Sequence, residues 1–309
     1  MKIESQIEKI SRFQHLELLA NQVVEGFISG MHKSPFHGFS AEFAEHKVYN
    51  VGESTKHIDW KLFARTDRLY TKRFEEETNL RCHIIIDNSS SMHYPKLKTN
   101  QDFHENKIGF SVLASAVLMN LLKKQRDAIG LSVFSDTYEY YAPEKGSDRH
   151  HRMILNALEN VLVAPTIKKS TDTISFLHQI AEKMHRRSMI ILFTDMFQSG
   201  SGDEALFNAL QHLKHNKHKV VLFHVVDSKT ELNFNFDNTP RKFIDVETGE
   251  SVSVFSDNVK EEYEKQAALY FKKLAATCAQ NKITYVPVNV SDNFEKVLLT
   301  YLAEKHTFG

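Results

Sequence analysis

Cysteine is scarce in this chain: two in 309 residues, Cys82 and Cys278. So few suit a reducing cytosol and buried thiols rather than a disulfide framework. Net charge is missing as well, with 39 Lys+Arg against 39 Asp+Glu. Without a basic excess no field gathers phosphates, so nucleic acid is not an expected partner. Long apolar runs are absent. The stretch Met189 to Phe193 is typical, and falls far short of the roughly 18 residues that cross a bilayer. The first residues, MKIESQIEKISRF, lack the apolar centre of a secretory signal. A cytoplasmic location with no transmembrane segment is expected. No G-x-x-x-x-G-K-[ST] and no G-x-S-x-G is found, so neither Walker-type ATP binding nor α/β-hydrolase chemistry is expected.

What is present is an ordinary globular composition, 41% hydrophobic and 25% charged, in a chain long enough for a sizeable core. The length fits two domains, or one large α/β domain with appendages. Residues from about Ile3 to Met31 have helical spacing of apolar side chains. From His32 to Tyr49 that period is lost, and Arg68 to Phe74 alternates like a strand. From Arg81 onward the chain becomes regular. Short apolar strands are expected at Cys82 to Ile86, Ala128 to Phe134, Met189 to Phe193, Lys219 to Val226 and Ile283 to Val288, with an edge strand at Thr137 to Tyr141. Helices are expected at Lys107 to Gln125, Asp148 to Val163, Asp172 to Arg186, Gly202 to Lys214, Asp257 to Gln280 and Asp292 to Lys305. Strands alternating with helices predict an α/β fold, with a mainly parallel sheet covered on both faces. Residues 1–79 are expected to form an N-terminal helix and β-containing subdomain, and 80–309 the α/β domain. Within the latter, 228–256 reads as a β-hairpin insertion.

The chemistry gathers after the first regular strand, where Asp87-Asn88-Ser89-Ser90-Ser91 reads D-x-S-x-S. Ligands of open α/β sheets sit at the C-terminal ends of the strands. A carboxylate and two hydroxyls there are hard oxygen donors, suited to Mg²⁺ or Mn²⁺. Alone, the motif also fits a serine-rich turn that caps the next helix. Two other loops bear on that choice. Ser170-Thr171-Asp172-Thr173 precedes a helix, and Thr194-Asp195 follows a strand. The predicted topology puts Asp87, Ser89, Ser91, Thr171 and Asp195 on one rim.

This set resembles the metal-ion-dependent adhesion site (MIDAS) of the von Willebrand factor A fold, over roughly Arg81 to Lys305. The resemblance implies a von Willebrand factor A-like sheet. It implies hydroxyl ligands from Ser89, Ser91 and Thr171, with Asp87 and Asp195 binding directly or through water. Thr173, two residues on, is the alternative in the second loop. Met196 departs from the pattern, because many members carry glycine after the third-loop aspartate. A second set looks like the signature of the bacterial domain-of-unknown-function 58 family: Gly52-Glu53, Ile58-Asp59-Trp60, Ala64-Arg65 and Phe74-Glu75-Glu76-Glu77. Members often accompany a MoxR-type AAA+ ATPase, so that ATPase or its client is the partner implied. Trp60, the lone tryptophan, is expected to be buried between the N-terminal region and the sheet. Asp59 and Arg65 either pair or cap a turn.

Two functions follow. The first is a metal-dependent protein-interaction module, an adaptor or assembly factor that takes a partner's carboxylate on a divalent cation and is not an enzyme. The second is a Mg²⁺-dependent hydrolase or phosphoryl-transfer enzyme. Against the second, a D-x-D phosphatase would need aspartate where Ser89 stands, and only His93 offers a nearby acid or base. His212, His215 and His218 have suggestive spacing for zinc, but no cysteine or carboxylate completes a tetrahedral set.

Overall fold

Strands buried along their whole length must lie inside a sheet that is covered on both faces. Among the segments that meet that condition are these three. Arg81–Asp87 (β3) is buried from its second residue, Met189–Thr194 (β6) throughout, and Lys219–Val226 (β7) from its second residue. The computed structural model describes residues 16–25, 43–49, 55, 58–74, 80–96, 105–163, 173–196, 203–215, 217–237, 239–245 and 249–307. In it these strands form the middle of a six-stranded sheet. Ala128–Phe134 (β4) and Tyr138–Lys145 (β5) extend it on one side, and Thr284–Asn289 (β10) on the other. The order is β10-β7-β6-β3-β4-β5, and every pairing is parallel except β4 with β5. The mainly parallel, von Willebrand factor A-like α/β fold anticipated above is therefore present. The outer strand β5 runs longer than Thr137 to Tyr141. Each outer strand contains a proline, Pro143 in β5 and Pro287 in β10.

Helices cover both faces. On one lie residues 16–25 (α1), Lys107–Lys124 (α3), Asp148–Val163 (α4) and Phe294–Thr307 (α8). Their Leu16, Ala20, Val24, Phe110, Val117, Ile154 and Leu298 share a core with Ile84 and Ile86. On the other lie Thr173–Lys183 (α5), Asp203–His215 (α6) and Ser256–Gln280 (α7), packed on Ile85, Ile190 and Leu192. The central helix α3 is buried from Lys107 to Leu122. Asn106 caps it, accepting from Gly109 N at 2.8 Å.

Two smaller units flank this core. Phe43–Val48 (β1) and Tyr70–Phe74 (β2) pair antiparallel around a short helix, Trp60–Thr66 (α2). Asp59 caps α2 through Lys61 N and Leu62 N, which settles its role as a cap. Trp60 corrects the burial expected of it, because it is 61% exposed. The cap places it at the first helical position of a seven-residue helix with no buried member, and Phe63 packs edge-on at 6.2 Å. The expected insertion contains a β-hairpin, Pro240–Ile244 (β8) with Ser251–Phe255 (β9), in the register Phe243↔Val252. One π-helical turn, Ser228–Leu232, precedes it.

Candidate metal centre

Side chains alternate along a strand, so His83, Ile85 and Asp87 of β3 face the same way. Asp87 ends the strand at the C-terminal rim and is buried. Its Oδ1 accepts from Ser89 N at 2.9 Å, which folds the D-x-S loop back on itself. Its Oδ2 accepts from Thr194 Oγ1 at 2.8 Å, across from the end of β6. Ser89 Oγ and Ser91 Oγ lie 3.0 Å apart. Asp195 follows Thr194 and is fully buried. Burial, with the Asp195 charge beside it, pushes the Asp87 carboxyl up to about 7, although the bonds from Ser89 and Thr194 pull the other way.

Asp195 is held from several sides. Lys107 Nζ donates to Asp195 Oδ2 at 2.8 Å and also to Glu231 Oε1. Glu231 stands in the π-helical turn and accepts Asp227 N through its other oxygen at 2.8 Å. Burial works against the charge on Lys107, but the two carboxylates outweigh it and hold its pKa above the ordinary lysine value. Burial also raises the Glu231 carboxyl, partly opposed by Lys107. His224 Nε2 donates to the Asp195 carbonyl at 2.9 Å, and its Nδ1 accepts from Tyr285 Oη at 2.7 Å. Burial pushes His224 down to about 4, so it is neutral near pH 7.

Met196 stands where the adhesion-site resemblance implies a glycine. Its φ is 55°, in the left-handed region that L-residues rarely adopt. Two bonds anchor it there: Met196 N donates to Thr194 Oγ1 at 3.0 Å, and Tyr270 Oη of α7 donates to Met196 O at 2.7 Å.

The donors suit a hard divalent cation on two observations. Neighbouring ligands of an octahedral ion at about 2.1 Å sit about 3.0 Å apart, and the two serine hydroxyls, hydrogen-bonded to each other, already stand at that distance. Among the described residues the carboxylates of Asp87, Asp195 and Glu231 gather at this rim, with the Lys107 ammonium between the last two. Thus Asp87, Ser89, Ser91 and Asp195 stand together. Thr171 lies outside the described residues, and its alternative Thr173 is buried at the start of α5. Among the described residues no cluster of three or more His, Cys, Asp or Glu side chains is placed to hold a metal. The candidate site depends on hydroxyls. Of the spaced histidines, the His215 side chain lies outside the described residues, and the other two have separate partners. His212 pairs with His178 at 2.8 Å, while His218 accepts Ser188 N at 3.2 Å.

The family model described as a protein of unknown function, DUF58, matches residues 45–272. The chain belongs to the DUF58 family. Curated relatives include the uncharacterized proteins Rv1480 of Mycobacterium tuberculosis and Mb1516 of Mycobacterium bovis. Each is 21% identical over 180 residues, covering 58% of this chain and 55% of the relative. This DUF58 chain thus spans about half the length of the curated relatives it matches. Solved structures similar to it include BatB from Bacteroides thetaiotaomicron, with 15% identity, a TM-score of 0.44, and coverage of 74% of this chain and 99% of that one. The SpRpn10 VWA domain has 13% identity and a TM-score of 0.41, covering 72% of this chain and 95% of that one. An aerotolerance-related membrane protein from Bacteroides fragilis is 14% identical, with a TM-score of 0.44 and coverage of 74% and 98%. In the described residues of this DUF58 chain no helix is long and apolar enough to cross a membrane.

Three contributors escaped the sequence reading: Lys107, Glu231 and His224. Lys107 opens an apolar helix, where a lysine reads as solvated. Its partners stand 88 and 124 residues away, so no spacing announces them. His224 carried a weak signal, as a lone histidine inside an otherwise apolar strand.

Proposed function

We propose that this chain is a metal-dependent protein-interaction module that holds Mg²⁺ or Mn²⁺ through Asp87, Ser89, Ser91, Thr171 and Asp195. The observation that carries the reading is the Ser89–Ser91 hydroxyl pair beside two mutually repelling carboxylates. When bound, such an ion leaves a coordination position that a partner's carboxylate fills. The chain's own part is to keep the donors in place. Ser89 N and Thr194 fix both oxygens of Asp87, and Lys107 and His224 hold Asp195 from behind. The partner is a MoxR-type AAA+ ATPase or its client, with this chain as adaptor or assembly factor in the cytoplasm. Membership of the DUF58 family and two buried cysteines that form no disulfide support that setting. The hydrolase reading finds less support. His93, its acid–base candidate, lies 2.9 Å from Asn88 Oδ1, bonded within its own loop.

Thermal melting of wild type and Asp87→Ala, each with Mg²⁺, Mn²⁺ or chelator, tests the site. An ion that binds only the folded state stabilises it by about 2.7 kcal/mol at a hundredfold excess over Kd. Wild type should show the shift and Asp87→Ala should not. Equal shifts in both would remove Asp87 from the site. A companion pull-down with the MoxR-type ATPase should lose its signal on chelation.

A further inference from the structure

The five positions of the adhesion-site pattern include no cation of the protein's own. Here one is present. Lys107 is 0% exposed, and its ammonium bridges Asp195 and Glu231 beside Asp87. Three elements meet on it: the start of α3, the end of β6 and the π-helical turn after β7. The turn is fastened from outside, because Tyr263 Oη of α7 donates to Glu231 O at 3.0 Å. Asp227 N occupies the second oxygen of Glu231. The bridge therefore has defined members and a defined place, in direct contact with Asp195, itself one of the proposed metal donors.

We propose that Lys107 is a resident counter-cation that sets how strongly this site takes a divalent ion, with Glu231 as its opposing weight. The inference rests on the metal reading above. An ammonium touching Asp195 cancels part of the field that a divalent ion would feel, and in a buried site such charges act with little screening. Glu231 draws the same ammonium outward and restores part of that field. Removing the lysine charge takes one positive charge away from Asp195, and the site gains affinity for a divalent ion. Removing the Glu231 charge leaves the ammonium committed to Asp195, and the site loses affinity. A merely structural role predicts otherwise, since loss of either partner would loosen the rim and weaken binding alike.

The test is Mn²⁺ binding, read by the electron paramagnetic resonance signal of the free ion, with folding followed by circular dichroism. Wild type, Lys107→Met, Glu231→Gln and Asp87→Ala are compared. Lys107→Met, similar in length but uncharged, should bind Mn²⁺ at least tenfold more tightly than wild type. Glu231→Gln should bind at least tenfold more weakly. If Lys107→Met folds poorly without metal, Mn²⁺ should raise its melting temperature by more than it raises that of wild type. Affinity lowered or unchanged in Lys107→Met overturns the counter-cation, whether Glu231→Gln binds more weakly or not. Mn²⁺ binding that survives in Asp87→Ala overturns the metal reading instead. Absence of binding in wild type and Lys107→Met alike overturns both.

Discussion

Strand β3 carries two buried polar networks on the same face, four residues apart, and they are built on opposite plans. At His83 the network closes on itself. His83 Nδ1 is 2.7 Å from Glu144 Oε1 and His83 Nε2 is 2.7 Å from Ser132 Oγ. A Ser–His–Glu line of that geometry would suit nucleophilic catalysis if it opened on a cleft, but both Ser132 and His83 are 0% exposed. There is no slack either, since a Cβ added to Gly130 would stand 2.5 Å from His83 Nδ1 and 2.8 Å from Ala142 O. At Asp87 the network sets two mutually repelling carboxylates, Asp87 and Asp195, beside a hydrogen-bonded pair of hydroxyls. A polar group paired within the fold specifies structure, here the attachment of the outer strand β5. A polar group set beside a like charge specifies something from outside.

The comparison breaks most visibly through Glu144→Ala. That change leaves His83 and Ser132 buried without their acid, and should cost about 3–5 kcal/mol with or without metal, measured by denaturant unfolding. A metal-dependent cost would mean that the two networks are one.

Acid titration sharpens the contrast through its sign. Burial alone would raise the Glu144 carboxyl, but the bond and charge of His83 override it and hold it below the ordinary value of 4.5. Its stabilising contribution is present above that value and disappears as pH falls through its lower folded pKa. Asp87 runs the other way. Its folded value near 7 lies above the ordinary 3.8, so the metal-free protein should lose stability as pH rises from about 4 to 7, by about 4 kcal/mol at most. Asp87→Asn should remove that part of the slope, and bound Mg²⁺ should flatten it in wild type. A residual slope remains from Glu159, which burial and the Glu17 charge also raise to about 7. Chemical unfolding at pH 4.5 and 7.5, with chelator or Mg²⁺, measures both. A slope unchanged in Asp87→Asn would place its titration elsewhere.

Gly130→Ala gives the smallest effect. The new methyl group must displace His83 or the β5 backbone, at about 1–3 kcal/mol. Its Mn²⁺ affinity should match that of wild type, since the strain lies in the closed network. Unchanged stability would show that the contact yields freely.

Much of this was legible because local signals agreed. Apolar runs such as MIILFT could only be inner strands, and D-x-S-x-S fell where a strand had to end. The placement of Asp87 and Asp195 on one rim followed from their positions after predicted strands, together with the adhesion-site resemblance. What stayed hidden depended on distance along the chain. Lys107 looks like an ordinary helix start until Glu231 arrives from a turn 124 residues later. The His83 network likewise spans 61 residues to Glu144. Trp60 misled for another reason. A large aromatic residue normally reports burial, but a seven-residue helix after a strong cap has no second face to hide it.

Proline is one of the rarer residues here, six in the whole chain, and two of the six fall in the outermost strands as Pro143 and Pro287. A residue without an N–H interrupts the row of donors through which a further strand could add. The flanks of this sheet are therefore poor templates for growth by strand addition. Crowding of the chain at high concentration should not seed ordered fibres from either margin. Where two copies meet along the six-stranded sheet, side chains on helices or loops are a better route than its outer strands.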